Sequence, residues 1–210
     1  MSHYSLGVIT RRPHQIEDLL YHYSEDNATE EEIDDEGETH YYNPDYKFDW
    51  YQIGGRWHNM LKVPKTVAEQ SGVQGTLSAV SPSFERKQRG KYRWVDGAPI
   101  KDILWSHLNA ASSDQIKQLS DEWDARTAQD TLQAQLIRHR YLTKTNYIML
   151  RNLFVPYAIL IDDQDNDVGR WLEEAGDDYD SMTHYYQEFY TIISNPDYQD
   201  YYLVIVDCHC

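Results

Sequence analysis

The densest group of potential metal ligands is a run at positions 207–210 that reads Asp-Cys-His-Cys. Thiolate and imidazole groups are the usual donors to Zn²⁺. Side chains two residues apart on an extended segment point the same way, so Cys208 and Cys210 direct both sulfurs to one side. Further donors would be His209 or Asp207 and, if the first and last strands pair, the histidine near the start of the chain. We therefore predict a zinc site formed by His3, Cys208, His209 and Cys210.

The alternative for this run is two reduced, inert cysteines on a strand beside a surface histidine. The chain has only two cysteines, so a framework of disulfides is not expected.

Carboxylates are concentrated in one block near the amino-terminal end. Residues 25–38 contain nine acidic side chains and no basic one. Such a block repels itself and is typical of a solvated loop, which we predict here as an arm that faces a partner. A second acidic group follows at 177–180. The residues predicted to contact the partner are Glu30, Glu31, Glu32, Asp34, Asp35, Glu36, Asp177, Asp178 and Asp180.

The formal net charge of -16 is divided unevenly along the chain. Residues 1–49 carry a net charge of -10, residues 50–153 a net charge of +6, and residues 154–210 a net charge of -12. Clustered carboxylates repel phosphate and attract cationic protein surfaces. The pattern argues against direct nucleic-acid binding and predicts a basic protein as the partner. A cationic cluster at 86–93 is expected to pair with the chain's own carboxylates or to lie on a hairpin.

The segment from Tyr41 to Trp57 is the most distinctive in composition, because it combines aromatic side chains with two consecutive glycines. The pair Gly54-Gly55 indicates a bend that only glycine adopts cheaply. Such a corner admits a ligand or a second stretch of backbone, and a packed structural corner is an equally good interpretation. If it lines a pocket, Asp49 and Arg56 are the side chains that would face a substrate.

No phosphate-binding glycine loop, no nucleophile elbow and no zinc-protease motif occurs in the sequence. Nothing in the residues therefore argues for catalysis, and a protein without enzymatic activity is the favoured interpretation. A metal-assisted enzyme at the glycine corner and a purely structural acidic protein are the two alternatives.

The elements that must position these residues are strands at both ends and helices in the middle. Residues 4–9 and 201–206 are short apolar runs typical of buried strands. Residues 113–141 place apolar side chains at helical spacing, which we interpret as core. We predict an α+β fold with a mixed or antiparallel sheet that contains the N- and C-terminal strands. Residues 1–65 and 154–210 are expected to form the α/β core, and 66–153 a largely helical insertion.

No apolar run reaches the roughly 20 residues that a bilayer span needs. The first residues also lack the features of a secretory signal. We therefore expect no membrane contact and a cytoplasmic location.

Three segments resemble a family of small uncharacterised proteins of bacteriophages and mobile elements. The family carries an NP-x-x-KWDWY-x-IGGRW pattern and often ends in a V-V-D-C-H-hydrophobic motif. This chain has NPDYKFDWYQIGGRW at 43–57, a start of the SHYS type and the ending LVIVDCHC. Phe48 stands in place of the first Trp, and Cys210 in place of the hydrophobic ending. The resemblance covers about a sixth of the chain and leaves the helical middle unaccounted for.

A phage setting implies one particular role. Acidic phage proteins include anti-CRISPR proteins, which bind the basic surface of a CRISPR nuclease in the bacterial host cell. On this resemblance we expect an inhibitor that blocks nucleic-acid loading, with a type II CRISPR effector nuclease as its partner.

Overall fold

The computed structural model describes residues 2–71, 73, 90–162 and 168–210. The strands are β1 (His3–Thr10), β2 (Glu30–Ile33), β3 (Thr39–Tyr42), β4 (Trp50–Ile53), β5 (Leu61–Pro64), β6 (Tyr92–Val95), β7 (Gly97–Pro99), β8 (Ala158–Ile161), β9 (Arg170–Glu173) and β10 (Tyr202–His209). The α-helices are α1 (Ile16–Tyr21), α2 (Lys65–Ser71), α3 (Trp105–Leu108), α4 (Ser113–Thr127), α5 (Leu132–Tyr141), α6 (Lys144–Arg151) and α7 (Tyr179–Ser194). Short 3-10 helices cover Pro13–Gln15, Gly55–Trp57, Ile100–Asp102 and Pro196–Tyr198.

The main sheet has six strands in the order β4-β10-β1-β8-β9, and β7 also pairs with β10. β1 is antiparallel to β10 and parallel to β8, so the sheet is mixed. Both strands are apolar and largely buried, as expected for central strands. The prediction of an α+β fold whose sheet contains the N- and C-terminal strands is confirmed.

The residues form two compact units along the chain. The first consists of Met1–Ile103, Pro156–Leu172 and Asp197–Cys210, and the second of Leu104–Val155 and Glu173–Pro196. The division predicted from the sequence, with an α/β core at 1–65 and 154–210 and a largely helical insertion at 66–153, stays a prediction.

The core of the first unit lies between α1 and one face of the main sheet. Leu6 and Val8 of β1 and Val206 of β10 are completely buried there, together with Leu20 of α1 and Phe48. Alternate residues of β1 and β10 therefore face α1, and the residues between them face the opposite side of the sheet.

The second unit is helical, and four of its helices, α4 to α7, begin at side-chain caps. Ser112 and Gln115 form a reciprocal capping box at the start of α4. Thr131 caps α5, Thr143 caps α6, and Asp178 caps α7 through the amide of Ser181.

The helical spacing at 113–141 is correct, but the interpretation of its apolar stripe as core is wrong in part. Ile116, Leu132 and Leu136 are 43%, 72% and 54% exposed. The apolar side chains of α4 and α5 recur at helical spacing, yet several of them remain exposed to solvent.

Candidate functional site

The pairing of β1 and β4 with β10 brings together the three segments that the sequence singled out. His3 lies opposite His209 in the register of β1 and β10, and Trp50 of β4 lies opposite His209 on its other side. Asp207 lies two residues before His209. Because directly paired residues share a face of a sheet, these four side chains stand on one face, the one turned away from α1. We call this group the histidine cluster.

Each histidine of the cluster contacts its own carboxylate. Nδ1 of His3 lies 2.9 Å from Oδ1 of Asp207, and Nδ1 of His209 lies 3.0 Å from Oδ2 of Asp49. An ionised carboxylate only accepts hydrogen bonds, so Nδ1 donates in both pairs. The side chains are largely buried: His3 is 10% exposed and His209 8%. The two carboxylates therefore fix the orientation of both rings. In each histidine, Nε2 is the ring nitrogen that takes no part in the hydrogen bond to the carboxylate.

Aromatic contacts pack the two rings against each other and against Trp50. The ring centres of His3 and His209 are 4.9 Å apart with an interplanar angle of 79°. The indole of Trp50 stacks on His209 at 5.1 Å and meets His3 edge to face at 5.6 Å. Trp50 remains 46% exposed, and its indole covers one face of the His209 ring.

A tyrosine is hydrogen-bonded to Asp49, the carboxylate that contacts His209 of the histidine cluster. The hydroxyl of Tyr46 donates a short hydrogen bond to Oδ1 of Asp49. This bond lowers the pKa of Asp49, and the hydrogen bond from His209 lowers it further. The same bond raises the pKa of Tyr46 to about 12. Tyr46, Asp49 and His209 thus form a chain of hydrogen bonds in which the carboxylate stays ionised.

The glycine corner receives two of the protein's own carboxylates. Gly54 and Gly55 have φ values of 72° and 49°, in the left-handed region that favours glycine. A Cβ atom on Gly55 would lie 2.4 Å from Cβ of Asp207, and one on Gly54 would lie 2.6 Å from Cγ of Asp96. The backbone N–H of Arg56 donates to Oδ2 of Asp207 at 2.9 Å. In the first unit the corner therefore positions Asp207, which in turn orients His3.

The predicted zinc ligands are divided between the two faces of the sheet. Cys208 is completely buried and belongs to the core against α1, and burial raises the pKa of its thiol. Cys210 is exposed, and its sulfur lies 3.0 Å from Oγ of Ser2. His3 and His209 stand on the opposite face. The same alternation that aligns the two sulfurs separates them from His209, so the four side chains do not meet around one point.

The acidic block at 25–38 is not all loop, because its residues Glu30–Ile33 form β2, which pairs with β3 in a two-stranded hairpin. Glu30 pairs with Tyr42, Glu31 with Tyr41, and Glu32 with His40. Each carboxylate of β2 thus lies opposite an uncharged or aromatic side chain instead of another acid, which is why the strands can form. All eight strand residues are exposed.

The turn of the hairpin is built around Asp34. Its Oδ1 accepts hydrogen bonds from the amides of Glu36 and Glu38 at 2.9 Å, and its Oδ2 lies 2.8 Å from Nε2 of His40. Gly37 adopts a φ of 84°. Asp34, Glu38 and His40 bring their ligand atoms within 4.8 Å of one another, but all three are solvent-accessible and such exposed acidic groups are common without a metal.

The second acidic group lies at the start of α7 in the other unit. Asp178 is the N-cap, and its pKa is lowered chiefly by the hydrogen bond from the amide of Ser181. Asp177 is fully exposed and lies 3.8 Å from Arg140. The six acidic residues predicted at 30–36 therefore share one hairpin. Those at 177–180 lie at the start of a helix, and one of them, Asp178, caps it.

Two further predictions from the sequence concern the cationic cluster and the membrane. Among the cationic residues at 86–93, those from 86 to 89 lie outside the described residues. Arg93 donates to the carbonyl oxygens of Gly90 and Tyr92. In the part of the chain that the structure describes, no helix is long and apolar enough to cross a membrane.

Comparison of the chain with family models, with curated proteins and with solved structures gave no match. The fold and the cluster themselves define the class: an acidic α+β protein with a histidine–carboxylate cluster at the joined ends of its central strands.

His3, His209 and Asp49 are candidate site residues from the sequence alone, whereas their pairing with carboxylates and the contacts of Trp50 and Tyr46 appear only in the structure. The period of two along β10 was a usable signal, because it places Asp207 with His209 and sets both apart from Cys208.

Proposed function

We propose that this chain is a non-enzymatic inhibitor that binds a cationic, nucleic-acid-binding surface of a host defence nuclease. It acts in the cytoplasm of the bacterial host cell and occupies the surface on which nucleic acid would load. The observation that supports this proposal is the β2–β3 hairpin, which presents a row of carboxylates outside the main sheet with every strand residue exposed.

The two faces of the hairpin suit two parts of such an interface. Glu30 and Glu32 share one face and supply charge that steers a basic surface into contact. Ile33 and Tyr41 share the other face and are 67% and 69% exposed. Large exposed side chains of this kind supply the contact area on which binding energy depends, tyrosine above all.

A type II CRISPR effector nuclease is the first partner to test, because such nucleases hold their RNA–DNA heteroduplex in a positively charged channel. The experiment measures binding of the guide-free nuclease to this protein as the salt concentration rises. Attraction between charged surfaces is screened by salt, so affinity is expected to fall steeply and guide loading to be blocked in parallel. Absence of binding, or an affinity that salt leaves unchanged, would count against the proposal.

A matched pair of variants assigns the effect to the hairpin. The triple variant E30Q, E31Q, E32Q removes three charges from β2, and D114N, D121N, D130N removes three from exposed positions in the helical unit. The first is expected to weaken nuclease binding by at least about tenfold, since each carboxylate at a charged interface contributes on the order of a kcal/mol. The second should have little effect. Equal losses in both would mean that net charge acts without the hairpin.

A metal-assisted enzyme is the second candidate function, and the orientation of both histidines by buried or half-buried carboxylates favours it. Oriented imidazoles are used both as metal ligands and in proton transfer. The test is hydrolysis of a panel of carboxylic and phosphoric esters with and without Zn²⁺. A turnover that requires Zn²⁺ and disappears in His209→Gln would support an enzyme, and no turnover with any ester would remove the candidate.

A further inference from the structure

The histidine cluster leaves one nitrogen of each ring available. Nδ1 of His3 is bound to Asp207 and Nδ1 of His209 to Asp49. Within the described residues, neither Nε2 atom has a hydrogen-bond partner. A histidine whose Nδ1 is hydrogen-bonded to a carboxylate binds a metal ion through Nε2.

The spacing of the two rings suits a shared ion. Two imidazoles bound to one zinc ion at about 2.0–2.1 Å have ring centres roughly 5 Å apart. The ring centres of His3 and His209 are separated by 4.9 Å. The two imidazoles meet edge to face at 79°, unlike the nearly parallel stack of Trp50 on His209.

The charge around the two rings selects a cation over an anion. In the described part of the chain, the ion-pair partner of Asp207 is His3 and that of Asp49 is His209, with no lysine or arginine at either carboxylate. Two carboxylates thus contact the two rings in a protein of net charge -16. A phosphate group would meet repulsion here, whereas a metal ion would gain from both carboxylates.

We propose that Nε2 of His3 and Nε2 of His209 bind one divalent transition-metal ion such as Zn²⁺. Asp207 and Asp49 act behind the ligands, where each fixes the tautomer and raises the basicity of its imidazole. Water fills the remaining coordination positions. Imidazole donors favour Zn²⁺, Ni²⁺ and Cu²⁺ over Mg²⁺ and Ca²⁺.

The cysteines take no part in this site. Cys208 faces the core on the other side of the sheet and its thiol is kept neutral by burial, whereas the metal ligand is the thiolate. Cys210 follows the same alternation. The proposed ligand set therefore differs from the mixed sulfur and nitrogen set that the sequence suggested, and it is independent of the hairpin that carries the proposed function.

The experiment is a calorimetric titration of the full chain with Zn²⁺. We expect one ion bound at the cluster, and a loss of at least tenfold in affinity in His3→Gln and in His209→Gln. Asp49→Asn is expected to weaken binding by about 10–100-fold, the usual effect of removing an outer carboxylate. Asp49 is one-third exposed, so this variant should fold even if a change at the buried Asp207 does not.

Two controls separate the cluster from other sources of zinc binding. His40→Gln removes the exposed histidine that lies beside Asp34 and Glu38, and Cys210→Ser removes the accessible thiol. Both should bind Zn²⁺ at the cluster as the unmodified protein does. Failure of the unmodified protein to bind Zn²⁺, or a loss confined to His40→Gln or Cys210→Ser, would overturn the proposal.

Discussion

Replacing Gly55 by alanine should break the link between the glycine corner and the histidine cluster. The new Cβ would lie 2.4 Å from Cβ and 2.5 Å from Oδ2 of Asp207, well inside van der Waals contact. Either the corner or Asp207 must move. The hydrogen bond from the amide of Arg56 to Oδ2 of Asp207, now 2.9 Å, would then be lost.

The cost has two parts that the structure separates. An alanine held in the left-handed region costs roughly 1–2 kcal/mol. A lost hydrogen bond to a charged group, here a carboxylate in a residue only 2% exposed, costs about 1.5–3 kcal/mol. We therefore expect Gly55→Ala to lower the free energy of unfolding by about 2.5–5 kcal/mol. For a chain of this length that corresponds to a fall in Tm on the order of 10 °C.

Gly37→Ala is the matched control. Gly37 has a φ of 84°, and a Cβ there would meet no atom within 4 Å. In this variant the only cost is that of placing alanine at a positive φ, and the position lies in an exposed hairpin. Its free energy of unfolding should therefore fall by at most about 1–2 kcal/mol. Urea unfolding followed by tryptophan fluorescence measures both values, and the NMR signal of the Arg56 amide reports on the hydrogen bond itself. Equal losses in the two variants, or an unchanged Arg56 amide in Gly55→Ala, would refute the reasoning.

Three further predictions concern other parts of the chain. Alkylation of the native protein should modify Cys210 and spare Cys208, with both modified after denaturation; mass spectrometry counts the adducts, and early modification of the buried thiol would contradict its placement. Acid should loosen the hairpin turn, because the pKa of Asp34 is held below its ordinary value of 3.8, chiefly by the hydrogen bond with His40. A carboxyl whose pKa is lower in the folded than in the unfolded chain stabilises the fold above the unfolded pKa, and this stabilisation is lost as pH falls through the folded pKa. The protection of the amides in β2 and β3, measured relative to their intrinsic exchange rates, should therefore fall below pH 3.8. Ser112→Ala removes the cap of α4 and should cost about 0.5–2 kcal/mol in thermal unfolding, whereas an unchanged Tm would mean that α4 frays independently.

Local composition was sufficient to predict the central strands β1 and β10 and the bend at Gly54-Gly55. The apolar runs at 4–9 and 201–206 gave β1 and β10, although the strands extend further, to His3 and to His209. The extensions carry polar side chains, which lie outside any apolar pattern and pair only because the neighbouring strand continues beside them. The bend at the glycine pair was predicted from its backbone freedom, but the atoms that require it belong to Asp96 and Asp207.

The acidic block shows where local reasoning failed. Repulsion among carboxylates predicted a loop at 25–38, because the partners across the hairpin were not considered. In β2 and β3 each glutamate lies opposite Tyr42, Tyr41 or His40, and the turn is closed by the carboxylate of Asp34.

By itself the sequence determined the class of fold, the uneven charge and the residue types from which a site can be made. The tertiary structure alone decided which of those residues meet. Alternation along β10 fixed that Cys208 and His209 face opposite ways, and the register with β1 and β4 placed His3 and Asp49 beside His209. Such contacts join positions up to 206 residues apart in the chain. They depend on strand order and register, which many local segments set together and no single segment encodes.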